Sequence, residues 1–195
     1  CTLTEQDRFA EAFIYVKKWE NMLKKEYGPN EPEMVACYFL YGQICTFLGN
    51  FPLALKKFEK AEKVPKKHPN AKFADGGEVY IYKARCNFNL GNFQESKEDF
   101  DKAVAYNTKI FGAPSKKLAD CLFTGAEILC VSKSFHDEAK DLYSKSLEMY
   151  RILGPACIFE TMSTLTSFAT LFHKRGEFKE SLKLMEEALD ICRKF

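Results

Sequence analysis

The chain has 195 residues, of which 46% are apolar, and it carries 29 basic against 27 acidic side chains. This apolar share is enough to build a folded core and excludes an intrinsically disordered chain. The net charge of +2 is too small to predict a nucleic-acid partner, and no apolar run reaches the roughly 18 residues of a membrane span. We therefore expect a folded protein with no nucleic-acid partner and no membrane insertion.

Eight cysteines are spread along the chain, and no two of them form a CxxC pair. Several fall in apolar helical stripes, where a free cysteine behaves as a small buried hydrophobe. We therefore expect reduced thiols in the cytoplasm, with disulfides or a metal site as the alternatives. The sequence has no glycine-rich phosphate loop and no nucleophile elbow, so we expect neither a cofactor nor enzymatic activity.

The first predicted element is a single helix within residues 1–27. Its apolar residues Phe9, Ala12 and Val16 open a pattern that recurs further along the chain. Trp19 occupies a place where the later repeats carry a small residue. We interpret this segment as the second half of a helical hairpin. Because the chain begins with Cys rather than Met, we also expect it to be a segment of a longer protein.

The next predicted element, over about residues 33–64, is a helical hairpin. Apolar residues three or four apart predict two helices, and Gly49-Asn50 between them is typical of a helix end. Gly42 and Ala54 are small where the two helices must cross, so their backbones can approach closely. The first apolar stripe consists of Tyr38, Tyr41, Gly42 and Cys45, and the second of Phe51, Ala54, Leu55, Phe58 and Ala61.

The hairpin pattern recurs with a period of 42 or 43 residues. Gly91-Asn92-Phe93 follows Gly49-Asn50-Phe51 by 42 positions, and Gly176-Glu177-Phe178 ends the series. One extra residue after Phe135 should distort the turn at Ser134–Asp137. Helix-ending Gly and Pro residues separate the repeats. The further predicted hairpins lie at about 75–111, 115–153 and 156–193.

A fixed period of this length is typical of stacked helical repeats, because one hairpin cannot bury its own apolar faces. No sustained alternation of β-branched residues predicts a strand. The sequence therefore predicts an all-α fold. We expect a right-handed superhelical solenoid of antiparallel helix hairpins that spans residues 1–195 as a single repeat domain.

The recurring small and bulky residues resemble those of the tetratricopeptide repeat family. Gly42, Ala84, Ala126 and Ala169 occupy equivalent places in the first helices. The long period and the junctions YGPNEP, FGAP and LGP resemble the kinesin light chain-type subgroup. The resemblance implies the solenoid fold and a protein-binding role. It does not extend to the paired Asn residues of that subgroup's cargo groove, because the matching pairs are Phe39-Leu40, Ile81-Tyr82, Phe123-Thr124 and Thr166-Ser167.

In such a solenoid the first helices line the concave face, and the row beside their buried stripe should face a groove. We expect this row to bind a peptide segment of another protein through aromatic anchors and a few polar contacts. Alternatively, its aromatic residues pack against the neighbouring first helix. The candidate partner-binding residues are Phe39, Gln43, Ile81, Arg85, Phe88, Phe123, Glu127, Thr170 and His173.

The sequence also predicts the surroundings of several polar residues, some within this row and some outside it. Arg85 either pairs with Glu127, which contributes about 0–1 kcal/mol when exposed, or binds a ligand carboxylate in a bidentate contact. We interpret the six lysines within positions 56–67 as a solvated convex face. Asn87 stands where the other repeats carry apolar residues or Cys, and we expect it to be a hydrogen-bonded buried amide.

The sequence thus predicts a non-enzymatic scaffold or adaptor that binds a protein partner in its concave groove. Two other interpretations remain open. One is a docking or regulatory segment of a larger enzyme or signalling protein. The other is a homo-oligomer that forms through uncapped terminal helices, since the last helix leaves an apolar stripe uncovered. That stripe consists of Leu182, Met185, Ala188, Leu189 and Ile191.

Overall fold

The computed structural model describes the backbone of residues 3–67 and 76–194, with side chains for residues 8–64 and 76–194. Within these ranges all regular structure is helical, so the predicted all-α class is confirmed. The first residue of the second predicted hairpin, 75, and the side chains of Lys66 and Lys67 lie outside the described residues. The α-helices are α1 Leu3–Glu26, α2 Met34–Phe47, α3 Phe51–Lys67, α4 Gly76–Asn89, α5 Phe93–Phe111, α6 Lys116–Leu129, α7 His136–Leu153, α8 Ile158–Arg175 and α9 Phe178–Lys194.

Short turns join the two helices of each hairpin. Gly49, Gly91 and Gly176 end α2, α4 and α8 with φ between 73° and 81°, a conformation that glycine adopts without strain. The connection from α6 to α7 differs, because a 3₁₀ turn over Lys133–Phe135 precedes α7. This is the place where the sequence has one extra residue, and the predicted distortion of the turn is confirmed.

Gly42 lies where α2 crosses α3. A Cβ atom at this position would lie only 2.4 Å from the ring of Phe58, closer than packed carbon atoms can come. Ala54 on α3 is also fully buried. The small residues of the first hairpin therefore allow close helix contact, as the sequence predicted.

The chain divides into two compact units, residues 1–103 and 104–195, with the boundary inside α5. In the first unit, side chains of α1, α2 and α3 form a core around Tyr38 and Phe58. In the second unit, side chains of α7 and α8 pack around Tyr143 and Leu165. Each unit therefore has its own apolar core.

A buried ion pair connects α1 with α3 in the first unit. Glu20 and Lys57 are 4% and 8% exposed, and their charged groups are 2.6 Å apart. Burial opposes the charge of Glu20, but hydrogen bonds from Lys24 and Lys57 outweigh it and lower the pKa of this carboxyl. Lys57 also lies 3.9 Å from the ring centre of Tyr41. The prediction that Lys57 belongs to a solvated face is therefore wrong.

A second buried ionic cluster lies one repeat further on, between α3, α4 and α5. Lys83 Nζ is 2.7 Å from Glu62 and 3.2 Å from Asp99. Although burial disfavours the charge of Lys83, the hydrogen bond that it donates to Glu62 and the charge of Asp99 raise its pKa. Asn87 donates a hydrogen bond to Asp99 at 3.0 Å. The prediction of a satisfied buried amide at Asn87 is therefore confirmed.

Candidate protein-interaction surfaces

The predicted partner-binding row is carried by the first helix of every hairpin. In the first unit, α2 and α4 carry the residues numbered 39 to 88, and in the second unit α6 and α8 carry those numbered 123 to 173. Because equivalent residues recur every 42 or 43 positions, each of these helices carries its members of the row at the same register.

Arg85 on α4 is the main charged group of the row in the first unit. Its side chain is half-buried, and its guanidinium carbon lies 5.9 Å from the ring centre of Tyr82. No carboxylate pairs with Arg85 among the described residues. Gln43 holds the equivalent place on α2, where it is half-buried and makes no side-chain hydrogen bond within the described part of the chain. Two polar groups on adjacent repeats are thus available to a ligand.

The aromatic residues of the row in the first unit mainly pack against other helices. Phe39 lies edge-on to Tyr82 of α4, with ring centres 5.6 Å apart. Phe88 is 9% exposed and contacts the ring of Phe93, and Ile81 is 8% exposed. Of the two alternatives, packing against the neighbouring first helix describes Phe39, and little of Ile81 or Phe88 is open to a ligand.

The row in the second unit is more accessible on α8 than on α6. Phe123 on α6 is half-buried against Tyr143 of α7, and Glu127 is half-buried with contacts of its own. Thr170 is exposed and donates its hydroxyl hydrogen to the carbonyl of Thr166. His173 is exposed, and its ring lies edge-on to Phe178. The polar residues of α8 are therefore the accessible part of the row here.

The structure also contains an apolar groove between α1 and α2 that the sequence did not predict. Its volume is about 490 Å³. The sequence contained one signal, the bulky Trp19 at a place that is small in the other repeats, but this gave no indication of a groove. We call this surface the α1–α2 groove, and it is lined by Phe9, Ala12, Tyr15, Val16, Trp19, Leu40 and Ile44.

An exposed apolar stripe runs along α9. Phe178, Leu182, Met185 and Leu189 are 62%, 59%, 44% and 49% exposed, and we call them the α9 stripe. Two residues of the predicted stripe do not belong to it: Ala188 is buried and Ile191 packs partly against the core of the second unit. These two side chains point toward α8 because they lie on the opposite edge of the helix.

The described residues offer neither a metal site nor a membrane span, and burial makes the thiols of Cys37 and Cys45 poorly reactive. They contain no group of three His, Cys, Asp or Glu side chains that could hold a metal ion. In the same part of the chain, no helix combines the length and the apolar character that crossing a membrane requires. The described cysteines carry free thiols, and burial raises the pKa of Cys37 and Cys45 to about 11. Such thiols are poor nucleophiles at neutral pH.

The fold defines a class of protein, the all-α array of repeated helix hairpins. Solved structures share it. BtubC (BKLC) from P. vanneervenii matches with a TM-score of 0.77 and 14% identity over 97% of this chain and 75% of its own. The nearly identical TPR-like repeats of a kinesin light chain from Podosopora anserina match with a TM-score of 0.74 and 15% identity. The match covers 97% of this chain and 90% of theirs. MamA has a TM-score of 0.62 and 18% identity, over 100% and 96%.

Family comparison identifies the repeats themselves. Models of the tetratricopeptide repeat match residues 77–109 and 126–194, which together are a little more than half of the chain. No curated protein matches the sequence. The chain belongs to the tetratricopeptide repeat family, its fold is a tetratricopeptide repeat-like solenoid of the kind seen in kinesin light chain-like repeats, and its general role is that of a protein-interaction scaffold.

Proposed function

We propose that this scaffold binds a peptide segment of a partner protein along its first helices and acts as a non-enzymatic adaptor. The residues that would contact the peptide are those of the row described above, with Ile81 and Phe88 as part of the floor beneath it. Peptide sites of this kind combine apolar anchors with a few oriented polar groups.

The observation that carries the proposal is the half-buried side chain of Arg85, which has no carboxylate partner among the described residues. Partial burial makes an unpaired charge unfavourable, so a ligand that supplies an acceptor gains a charge-assisted hydrogen bond. The Tyr82 ring beneath the guanidinium restricts its orientation, which reduces the entropy lost on binding. The free amide of Gln43 on the adjacent first helix would add a second polar contact.

A peptide library displayed on phage would test the proposal. The affinity of the peptides that the 195-residue chain enriches is then compared between the unaltered chain and the double variant Arg85→Glu with Phe123→Ala. We expect affinity to fall at least tenfold, about 1.4 kcal/mol, while the circular dichroism spectrum stays helical. Lys97→Glu, an exposed lysine on α5, is the matched control and should bind as the unaltered chain does. Unchanged affinity in the double variant would contradict the proposal.

A second candidate function is self-association, and the α9 stripe favours it. Four large apolar side chains, each at least 44% exposed, form a continuous strip on one helix. Exposed apolar strips of this kind are typical of interaction sites. Light scattering over a range of concentrations tests this candidate, because a self-associating chain gains mass as its concentration rises.

A further inference from the structure

Lysine side chains of α1 and α3 gather around one buried carboxylate in the first unit. Lys24 of α1 lies 2.8 Å from one oxygen of Glu20, and Lys57 of α3 lies 2.6 Å from the other. The ammonium groups of Lys57 and Lys60 lie 6.0 Å and 5.5 Å from the ring centre of Tyr38. The three ammonium groups therefore occupy one small region between the two helices.

Lys63 extends this group along α3. It stands three positions after Lys60, so the two side chains are neighbours on one face of the helix. Both are exposed, and neither has a carboxylate partner among the described residues. We call this group the lysine cluster, and it consists of Lys24, Lys57, Lys60 and Lys63.

The electrostatics around Lys60 indicate that the positive charge of the cluster is not compensated. Partial burial lowers the pKa of Lys60 first, and the charges of the other three lysines lower it further. The charge of Glu20 acts in the opposite direction, but its two oxygens are already bound by Lys24 and Lys57. A positive potential therefore remains at the exposed end of the cluster.

The acidic residues of α3 do not neutralise this end. Glu62 is directed toward α4, where it lies 2.7 Å from the ammonium of Lys83. Glu59 stands four positions before Lys63, but no ion pair joins the two in the described part of the chain. An anion from another molecule would thus meet an excess of ammonium groups.

The residue type and the number of charges favour a phosphoryl group as that anion. Lysine binds phosphate as a point charge, whereas the planar fork of arginine suits carboxylates, and the cluster contains no arginine. A phosphoryl group on a side chain carries about 1.5 to 2 negative charges at neutral pH and three acceptor oxygens. A carboxylate carries a single charge and would leave more of the cluster uncompensated.

The size of the cluster indicates a single phosphoryl group. From Lys57 to Lys63 the helix rises about 9 Å. A nucleic-acid chain requires a longer basic path that follows several phosphates, together with aromatic side chains for its bases. A phosphorylated protein segment requires only this local group of charges, and it agrees with the general role of the chain as a protein-interaction scaffold.

We propose that the lysine cluster binds a phosphoryl group on a segment of a partner protein. Lys60 and Lys63 donate hydrogen bonds to the phosphoryl oxygens, and Lys24 adds its charge from α1. The site lies on the second helices α1 and α3, so it is separate from the partner-binding row of the first helices and does not depend on Arg85. Phosphorylation of the partner then controls whether this contact forms.

Fluorescence anisotropy with labelled peptides tests the proposal on the 195-residue chain. The probe is a glycine peptide with a pair of adjacent phosphoserines, and the comparison peptides carry serine or glutamate at the same two places. We expect the phosphorylated peptide to bind about tenfold more tightly than either of the others, because it brings more negative charge. Added salt should weaken this binding, since the site is open to solvent.

A charge-matched pair of variants locates the binding. Lys60→Gln with Lys63→Gln removes two ammonium groups from the cluster, and Lys97→Gln with Lys145→Gln removes two exposed ones from α5 and α7. We expect the affinity of the cluster variant for the phosphorylated peptide to fall about tenfold, while the control variant binds as the unaltered chain does. Circular dichroism and the fluorescence of Trp19 show that both variants are folded.

Other results would overturn the proposal. Failure of the phosphorylated peptide to bind at low salt would remove the site, and equal binding of the glutamate peptide would remove its preference for phosphate. An equal loss in the control variant would mean that net charge, rather than the cluster, attracts the peptide. Binding of phosphoinositide vesicles or single-stranded DNA in place of the peptide would assign the cluster to another class of ligand. None of these results bears on peptide binding by Arg85, which the phage-selected peptides measure.

Discussion

The buried pair Glu20–Lys57 is the feature that residue-by-residue interpretation of the sequence missed. Lys57 stands among five other lysines within positions 56–67, and such runs are normally solvated. Its position one turn from the buried residues Ala54 and Ala61 places it on the buried edge of α3, where it meets Glu20 of α1. Glu20 and Lys57 are 37 positions apart in the sequence. Recognising the pair therefore requires knowing that α1 contacts α3, and local periodicity does not contain this information.

Removing one member of this pair should destabilise the first unit strongly. Glu20→Gln leaves the ammonium of Lys57 buried without its carboxylate, and losses of this kind reach about 3–5 kcal/mol. Urea unfolding followed by the fluorescence of Trp19 measures the change. Glu11→Gln, an exposed carboxylate on the same helix, should have almost no effect. Equal stability of the two variants would mean that the pair contributes nothing.

The same carboxylate should make the first unit sensitive to acid. The pKa of Glu20 is lower in the folded chain than the roughly 4.3 of an unfolded glutamic acid. Its contribution to stability is therefore complete above that value and is lost as the pH falls through the lowered folded pKa. We expect the stability difference between the unaltered chain and Glu20→Gln to shrink as the pH falls from about 6 to about 3. A difference that is constant with pH would refute this assignment.

The sequence singles out Gly42 because it and Ala54 are small where the two helices of the hairpin must cross. The structure gives the reason, since even a methyl group would meet the Phe58 ring at 2.4 Å. Gly42→Ala should lower the free energy of unfolding by about 1–3 kcal/mol, despite the better helix propensity of alanine. Combining it with Phe58→Leu tests the cause: the two effects should not add, because the smaller side chain relieves the clash.

At the scale of the helix, the small–bulky–small pattern predicted which helices exist and where they turn. The pattern succeeded because it records helix crossings, and these recur every 42 or 43 residues. It could not predict how the α1–α2 groove is lined, since that depends on two helices meeting through side chains of unequal size. For the same reason the row that the sequence predicts includes Ile81 and Phe88, although most of their surface is buried.

Ser146 offers a test of the crossing between α6 and α7. It is fully buried, and its hydroxyl donates a hydrogen bond of 2.9 Å to the carbonyl of Ala119. The other repeats carry Ala61, Ala103 and Ala188 at this place. Ser146→Ala should therefore cost only about 0.5–1.5 kcal/mol, as measured by thermal unfolding.

The matched change at the same position enlarges the side chain. Ser146→Leu should destabilise by about 1–3 kcal/mol more than the alanine variant, because the added methylenes have no space at the crossing. If leucine were tolerated as well as alanine, close approach of the two helices would not be what keeps this position small.

At the scale of the whole molecule, the division into two units predicts unfolding that is not all-or-none. Repeat arrays are stabilised by contacts between neighbours, so distant parts can lose structure separately. Trp19 is the only tryptophan and packs against the core of the first unit. Its fluorescence reports that unit, while far-ultraviolet circular dichroism reports all helices.

Glu20→Gln should therefore shift the fluorescence transition in urea to lower concentration and broaden the circular dichroism transition. Tyr143→Leu, which removes a buried ring from the second unit, should broaden the circular dichroism transition and leave the fluorescence midpoint nearly unchanged. Coincident transitions in all three proteins would show that the chain unfolds as one cooperative block.

The distribution of thiols gives a practical means of following α9. Cys192 is the exposed cysteine among those described, and it occupies the register of Tyr150, one turn beyond Leu189. With Cys1 replaced, since it lies outside the described residues, a maleimide dye in native buffer should attach almost exclusively to Cys192. The polarity around that dye and the anisotropy of its emission would change when the neighbouring α9 stripe is covered. The covering of the stripe could therefore be timed in a stopped-flow instrument without any further substitution.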